Sequence, residues 1–350
     1  MNVKVCLRKI VHVLLPAKLR SNIWLFLVRM SQLIEKQRWR ERKITNGSLY
    51  PNDTYYVIRC RKTPSGLGAL WIWWLNRLDY ADKMGYIPII DWGGKYSNFW
   101  NIYMRKGEVG KINVFQRFYS QPTWHQYDEI QYAQNVILGD ASNETGIEDA
   151  DKLFDDAEWK KRVLYLGEKY VHLNGCLLDK LERQWEQLVM PTWKVLALVH
   201  RGTDYRKRKI VGEHKMPSIH DEIALARKKL REWGCDHIYV ATEDSDEMEI
   251  FKKEFGEILI VSDRVRYSGK SVLDDNNISD VGTYERGEAY MIDIFNVSKC
   301  TCLIASRIGL LHAAIPLNGG RYEHEYIFDL GLYSEEDYDV DGNLISNDKN

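Results

Sequence analysis

Apolar positions along the chain fall either in short dense runs or at helical spacing. Tyr55-Tyr56-Val57-Ile58-Arg59-Cys60 is the first dense run and reads as a strand. Turn chemistry follows in Thr63-Pro64-Ser65-Gly66-Leu67-Gly68. Leu70, Trp73, Trp74, Leu78 and Ala81 then recur at near-helical spacing over 69–84, and 86–91 reads as the next strand. A strand, loop, helix, strand unit makes parallel sheet. Residues 92–150 are rich in Trp, Tyr and Asn with weak periodicity, and read as irregular surface suited to lining a cleft. Residues 151–187 are charged and helical, and Met190-Pro191-Thr192 reads as a connection between domains. The alternation then resumes, with strands at 195–200, 238–242, 258–262 and 302–305 and helices at 218–233, 246–255, 287–298 and 308–314. Strands alternating with helices predict a parallel sheet covered on both faces. The expected fold is α/β, two Rossmann-like halves facing a cleft, with ligands outside the carboxyl ends of the strands.

Length agrees, since 350 residues suit two domains. With 45% hydrophobic and 28% charged residues the chain has material for packed cores and is not disordered. Its formal charge of -1 provides no field to attract nucleic acid. Charge is nevertheless uneven. Residues 1–43 hold eleven Lys/Arg against Glu35 and Glu41, a net charge of +9, and leave a body of −10. Lys9, Pro16, Lys18, Arg20 and Arg29 interrupt every apolar run of this arm, so it does not read as a membrane span, and no small-residue cleavage site follows an apolar core. Val11, Val13, Leu14 and Leu15, then Ile23 to Val28, alternate with cations. That pattern suits basic helices lying in a membrane interface, where each Lys or Arg contributes about 1 kcal/mol, or a strip packed on the body. Six cysteines without a C-x-x-C pair read as reduced thiols, and Cys300 and Cys302, on one strand face, lack the ligand pairs of a zinc site. With neither signal nor anchor the expected location is the cytoplasm, where the N-x-S/T triplets at Asn46, Asn52, Asn143, Asn277 and Asn296 carry no meaning.

Four places carry candidate chemistry. His200-Arg201-Gly202-Thr203-Asp204 follows a buried strand, where the rigid fork of an Arg matches a diphosphate, unless Arg201 pairs with Asp204. Asp244 and Asp246 also follow a strand and invite a divalent metal, although acids there favour the next helix's dipole, and capping is preferred. Asp293 lies among Ile292, Ile294 and Phe295 and needs a donor to offset its desolvation, either the N–H groups of a guanine or a local Arg. Gly66 and Gly68 precede a helix N-terminus able to receive phosphate oxygens, or form only a tight turn, since neither a Walker pattern nor a full G-x-G-x-x-G is present.

At these residues the stretch from about 190 to 335 resembles the GDP-fucose-dependent fucosyltransferases of the α1,6 and nodulation type and their protein O-fucosyltransferase relatives. Four blocks stand in the family's order: Val199-His200-Arg201-Gly202-Thr203-Asp204, Tyr239-Val240-Ala241-Thr242-Glu243-Asp244, Arg286-Gly287 through Met291-Ile292-Asp293-Ile294, and Leu303-Ile304-Ala305-Ser306-Arg307. The resemblance implies a GT-B-like fold, GDP-fucose as donor substrate with no cofactor, inversion at the anomeric carbon and no metal. Charge and resemblance together divide the chain into a basic helical arm over 1–45, an acceptor-side α/β domain over 46–190, a GDP-sugar-binding domain over 191–335 and an acidic tail over 336–350. Arg201 resembles the family's essential arginine on the donor phosphates, Asp293 its guanine-reading carboxylate, Ser306 a hydroxyl near the phosphates, and Gly66 and Gly68 its diphosphate-facing loop. Arg201 and Asp204 are the catalytic candidates, with His200, Asp244, Arg286 and Arg307 completing the donor set. Many members carry two adjacent arginines, whereas Gly202 takes the second place and the histidine is shifted to His200, so phosphate binding calls on Arg206, Lys207 or Arg307.

A fixed guanidinium stabilises the charge growing on the departing diphosphate without reorganising. Asp204, Glu213 and His214 are candidate bases for the acceptor hydroxyl. The expected partners are a GDP-sugar, a free or lipid-linked glycan acceptor such as an O-antigen or capsule intermediate, and a membrane surface met through 1–43, in a protein of bacterial type. Two other readings stay open: a transferase using another nucleotide sugar, and a non-catalytic glycan- or nucleotide-binding protein, for which the many Trp and Tyr residues are the warrant. Asp337-x-Asp339-x-Asp341-Gly342 mimics a calcium loop but lacks the usual Glu and exit helix, so an acidic tail or Asp-Gly hairpin is preferred.

Overall fold

A computed structural model describes residues 26–27, 29–30, 33–34, 36–60, 67–105, 107–142, 150–202, 211–268 and 282–334. They build a mixed α/β structure around two sheets. The first contains β1 (Arg42–Ile44), β2 (Leu49–Arg59), β3 (Ile87–Asp91) and β4 (Ala133–Leu138) in the order β1-β4-β2-β3. β2 pairs in parallel with β3 and β4, and β1 runs antiparallel on the outer edge of β4. The second contains β5 (Val195–Val199), β6 (His237–Ala241), β7 (Leu259–Ile260), β8 (Cys302–Ser306) and β9 (His324–Phe328), all parallel, in the order β7-β6-β5-β8-β9.

Between these strands run α1 (Leu67–Lys83), α2 (Ala157–Tyr170), α3 (Gly175–Leu188), α4 (Ile219–Trp233), α5 (Ser245–Phe255), α6 (Gly282–Lys299) and α7 (Leu311–Asn318). The second sheet is covered on both faces, as the sequence pattern predicts. Leu196, Leu198, Ile238, Val240 and Ile304 pack on α4 and α5, while Ala197, Val199, Tyr239, Leu303 and Ala305 face α6 and α7. This division follows from the two-residue period of a strand. The latter core continues into the first half of the chain through Trp71, Trp74 and Leu78 of α1 and Val163 and Leu166 of α2.

Three elements were not legible in the pattern. Residues 92–150, expected to be irregular, contain β4, whose apolar run is only Val136-Ile137-Leu138 and is too short to register as a strand period. β1 lies within the stretch 1–45 expected to be a basic helical arm; Arg59 ties this stretch to the sheet by donating to the carbonyls of Trp39, Arg40 and Gly139. β9, in a stretch assigned no strand, completes the second sheet. The acidic tail and its Asp-rich loop, and most of the basic arm, lie outside the described residues.

The Trp-rich stretch is core. Trp71 donates its indole N–H to the Tyr119 hydroxyl at 2.9 Å and meets Trp74 edge-on at 5.1 Å, and Trp74 packs against Trp92 and Phe115. α2 and α7 approach so closely that a Cβ on Gly167 would stand 2.5 Å from Pro316 Cβ and 3.0 Å from its carbonyl oxygen. Overpacking at such a contact costs about 1–3 kcal/mol. Gly167→Ala is therefore expected to lower the unfolding free energy by that amount, read as a lower urea midpoint with the m-value unchanged, and an unaltered midpoint would show that the helices separate freely.

Candidate functional site

In the second sheet the chain leaves β5 for β6 and β7 on one side and returns to β8 and β9 on the other. Loops leaving β5 and β8 therefore diverge, and a crevice opens at the carboxyl ends of these two strands. Arg201 follows β5, and Ser306 ends β8. Arg201, with 27% of its side chain exposed, faces Glu243 beyond the end of β6 at 3.3 Å. The Ser306 hydroxyl is buried and has no hydrogen-bond partner among the described residues. Buried hydroxyls are ordinarily satisfied, so this one marks a place where a partner belongs.

Residues 261–268, after β7, form another wall. Tyr267 is clipped onto the end of β6, donating its N–H to the Glu243 carbonyl at 2.8 Å and accepting from Ser245 N at 3.1 Å. The clip positions Arg264 and Arg266. Arg264 Nη1 donates to Asp293 Oδ2, while the Tyr239 hydroxyl donates to Asp293 Oδ1 at 2.7 Å. Arg266 reaches only the Ser262 carbonyl through Nη1, at 3.2 Å; its Nε and Nη2 are buried without partners among the described residues. Burial pulls both guanidinium pKa values down, and the charge of Arg264 adds to the effect on Arg266.

Arg286, on α6, hydrogen-bonds Tyr267. Burial pushes the hydroxyls of Tyr103, Tyr267 and Tyr290 up, and arginine charge opposes it at each. Tyr103 feels Arg201 and Arg286, Tyr267 feels Arg286 and Arg264, and Tyr290 feels Arg201 and Arg264. The three arginines thus share one neighbourhood, with Arg266 adjoining Arg264.

The N-terminus of α1 closes the site from the first half of the chain. A Cβ on Gly68 would stand 2.4 Å from the Tyr290 hydroxyl and 2.6 Å from the Gly309 carbonyl carbon. Only glycine permits this approach. Leu67 N–H donates to the Tyr103 hydroxyl at 3.4 Å, and the positive end of α1 is set against the loop after β8.

No family model and no curated relative matches the chain. Solved structures to which the chain is similar include fucosyltransferases. NodZ α-1,6-fucosyltransferase co-crystallised with GDP has a TM-score of 0.46 and 12% identity, covering 75% of this chain and 91% of that one. NodZ from Bradyrhizobium scores 0.44 at 12% identity over 75% and 92%. POFUT1 in complex with GDP scores 0.45 at 10% identity over 78% and 98%.

Of the sequence candidates, Arg201, Arg286, Ser306 and Gly68 stand around this crevice, and Asp293 sits beneath it holding Arg264. Gly66 and Asp204, with Arg206 and Lys207, lie outside the described residues. Three candidates are engaged within the protein. The His200 ring is buried, with Nδ1 on Glu222 and Nε2 on Glu247. Asp244 is occupied as the cap of α5, its Oδ1 accepting from Asp246 N at 2.9 Å and Glu247 N at 3.1 Å. Arg307 is held by Asp155 at 2.6 Å and Asp329 at 2.9 Å, so its charge is met within the protein. Asp293 likewise has both oxygens engaged, which is the local-arginine alternative. Arg264 and Arg266 escaped sequence reasoning; the available signal was two arginines directly after a strand, on the ligand edge.

Gly202 also finds its reason here. A Cβ there would stand 2.6 Å from Glu247 Oε2 and 2.7 Å from Asp244 Cβ, so the His200–Glu247 pair occupies the volume a second adjacent arginine would need. Burial alone would lower the His200 pKa, but Glu222 and Glu247 overcome it and raise it to about 9. A folded pKa above the unfolded value of about 6.5 stabilises the fold fully below pH 6.5, and the contribution is lost as pH rises through 9. Denaturant titrations should lose on the order of 3 kcal/mol between those limits, and His200→Gln should flatten that slope. A slope that persists in the variant would assign it to another group.

Proposed function

We propose that the protein is a glycosyltransferase that moves fucose from GDP-fucose to a hydroxyl of a glycan acceptor, with inversion and without a metal. The observation that carries this reading is Arg266, a half-buried guanidinium whose buried Nε and Nη2 have no partner among the described residues, adjoining Arg264 at a crevice that also gathers Arg201 and Arg286. Uncompensated buried cations call for an anionic ligand, and planar forks suit the oxygens of a diphosphate. The N-terminus of α1 and the Ser306 hydroxyl add donors of the same kind. The resemblance of the sequence blocks to GDP-fucose-dependent fucosyltransferases supports GDP-fucose as the donor. In this reading the two sheets are the lobes of a GT-B cleft, and the acceptor approaches from the side of the first sheet.

As the bond to the sugar breaks, the growing diphosphate charge meets guanidinium groups already in place. Arg201, partly exposed beside Glu243, bears directly on the phosphates in this reading, whereas Asp293 holds Arg264 in position. The acceptor's proton goes to a base among Asp204, Glu213 and His214. His214 has its Nε2 on Asp151 Oδ1 at 2.7 Å. The non-catalytic reading loses part of its warrant, because Trp71 and Trp74 are core residues rather than a binding surface.

We place the protein at the cytoplasmic face of a membrane. The described residues of 26–38 are helical, and Phe26, Met30, Leu33 and Ile34 are exposed at spacings that share one helix face beside Arg29, Lys36 and Arg38. No helix among the described residues is long and apolar enough to cross a membrane.

Calorimetric titration with GDP, GDP-fucose, GDP-mannose and UDP-glucose, with and without EDTA, tests the site. Guanine nucleotides should bind regardless of EDTA, and Arg201→Ala and Arg266→Met should each weaken binding about tenfold or more, the effect of losing a charged hydrogen bond. Arg201→Ala should also slow donor hydrolysis by roughly 10²–10³. Preference for UDP-glucose would overturn the donor, EDTA sensitivity would overturn the metal-free mechanism, and GDP binding without any turnover of GDP-fucose would favour a binding module.

A further inference from the structure

A second concavity lies apart from the arginine crevice, in the first half of the chain. It encloses about 690 Å³ between the strip 116–126 and residues 169–174. That volume is within the roughly 300–1,000 Å³ typical of small-molecule sites. Trp124 stands at it with 78% of its surface exposed. One face of its ring stacks on His125, at 3.7 Å between centroids and 29° between planes. His125 is buried and anchored, with Nδ1 2.7 Å from Glu129 and 3.0 Å from the hydroxyl of Tyr55 on β2. An exposed indole backed by a fixed ring is a rigid platform, with little conformational freedom to lose on binding.

The rest of the lining mixes Tyr119, Pro122 and Tyr170 with polar, almost uncharged side chains. Gln116, Ser120, Thr123, Gln126 and Asn174 place amides and hydroxyls along the groove. Asn174 is taken up by the start of α3, its Oδ1 accepting from Cys176 N and its Nδ2 donating to the Gln116 carbonyl, while Ser120 donates to the Leu173 carbonyl and Gln126 Nε2 to the Trp124 carbonyl. The Gln116 amide and the acceptor oxygens of Ser120, Thr123 and Gln126 are the groups that meet the hydroxyls of a polyol. Lys169 is the one lysine or arginine in the lining, and its charge is met by Asp82 at 2.6 Å. Neither a phosphate nor a carboxylate finds an uncompensated cation there.

We propose that this groove is a carbohydrate-binding site for a neutral oligosaccharide. A sugar ring lays its C–H face on the open side of Trp124, whose π face carries partial negative charge. Its hydroxyls hydrogen-bond the amides and hydroxyls of the walls. The same short strip touches the proposed transfer site from its other side. Tyr119 lines the groove, while its neighbour Phe118 stacks on Tyr284, two residues before Arg286, at 6.0 Å and 14°. The carbohydrate site does not depend on the donor reading, since nothing in its lining recognises a nucleotide.

The test is retention of the full-length protein, without nucleotide, on an immobilised panel of neutral hexose, N-acetylhexosamine and deoxyhexose oligosaccharides, with sialylated and sulfated oligosaccharides as the opposing set. Neutral members should be retained. Trp124→Ala should reduce retention at least tenfold, with the thermal midpoint and GDP titration unchanged because the indole is exposed. Gln126→Ala should reduce it severalfold and serves as the second variant. Retention of anionic members alone, retention of none, or equal retention by wild type and both variants would overturn the proposal. Loss of GDP binding with glycan retention intact would overturn the donor site and leave this one standing.

Discussion

The contact between Gly68 and Gly309 is the constraint on which the rest of the arrangement depends. Two chain segments 241 positions apart meet backbone to backbone, with the Tyr290 hydroxyl in the same space, and no side chain fits at either position. Because of it, the N-terminus of α1 lies on the loop leaving β8 rather than a side chain's length away. The contact is held from behind by one continuous apolar core running from Trp71 and Trp74 through Val163 and Leu166 to Ala313 and Ala314. Ion pairs reinforce the same seam from outside, where Asp82 meets Arg162 and Lys169 at 2.6 Å each. Burial works against the ionised Asp82, yet Lys169, Tyr170 and Arg162 hold its pKa down to about 2.

On this frame the electrostatics divide cleanly. Most charged residues near the ends of the second sheet are neutralised locally, as with His200 between Glu222 and Glu247, Arg307 among Asp151, Asp155 and Asp329, and Arg264 on Asp293. Each pair fixes a strand end or a loop. Arg266 stands out from them, because two of its three guanidinium nitrogens are buried without an acceptor among the described residues and only Nη1 reaches one, the Ser262 carbonyl. The pairs therefore act as positioning contacts, and Arg266 is the guanidinium on which the proposed donor site turns.

Aromatic residues divide in the same way. Trp71, Trp74 and Trp92 are buried with their rings packed edge-on, filling the space between α1 and the first sheet. Trp124 is backed by His125 and turned to solvent. Identical side chains thus serve as core in one place and as an accessible surface in another, and only their neighbours distinguish the two.

The regular alternation of apolar runs determined the parallel sheets, the helices on both faces and the ligand edge carrying Arg201 and Ser306, because strand and helix periods are local properties of the chain. Gly68 was legible as a turn, and Asp244 as a cap. Tertiary structure alone decided that Gly68 is required by Gly309, that Gly202 makes room for Glu247, and that His200 and Arg307 are held by carboxylates rather than left for a ligand. It also decided that Arg264 and Arg266 join the site, and that β4 pairs in the first sheet despite its short apolar run. The reason is common to all of these: a contact between residues far apart in sequence leaves no period in either segment, so it exists only once the chain has folded.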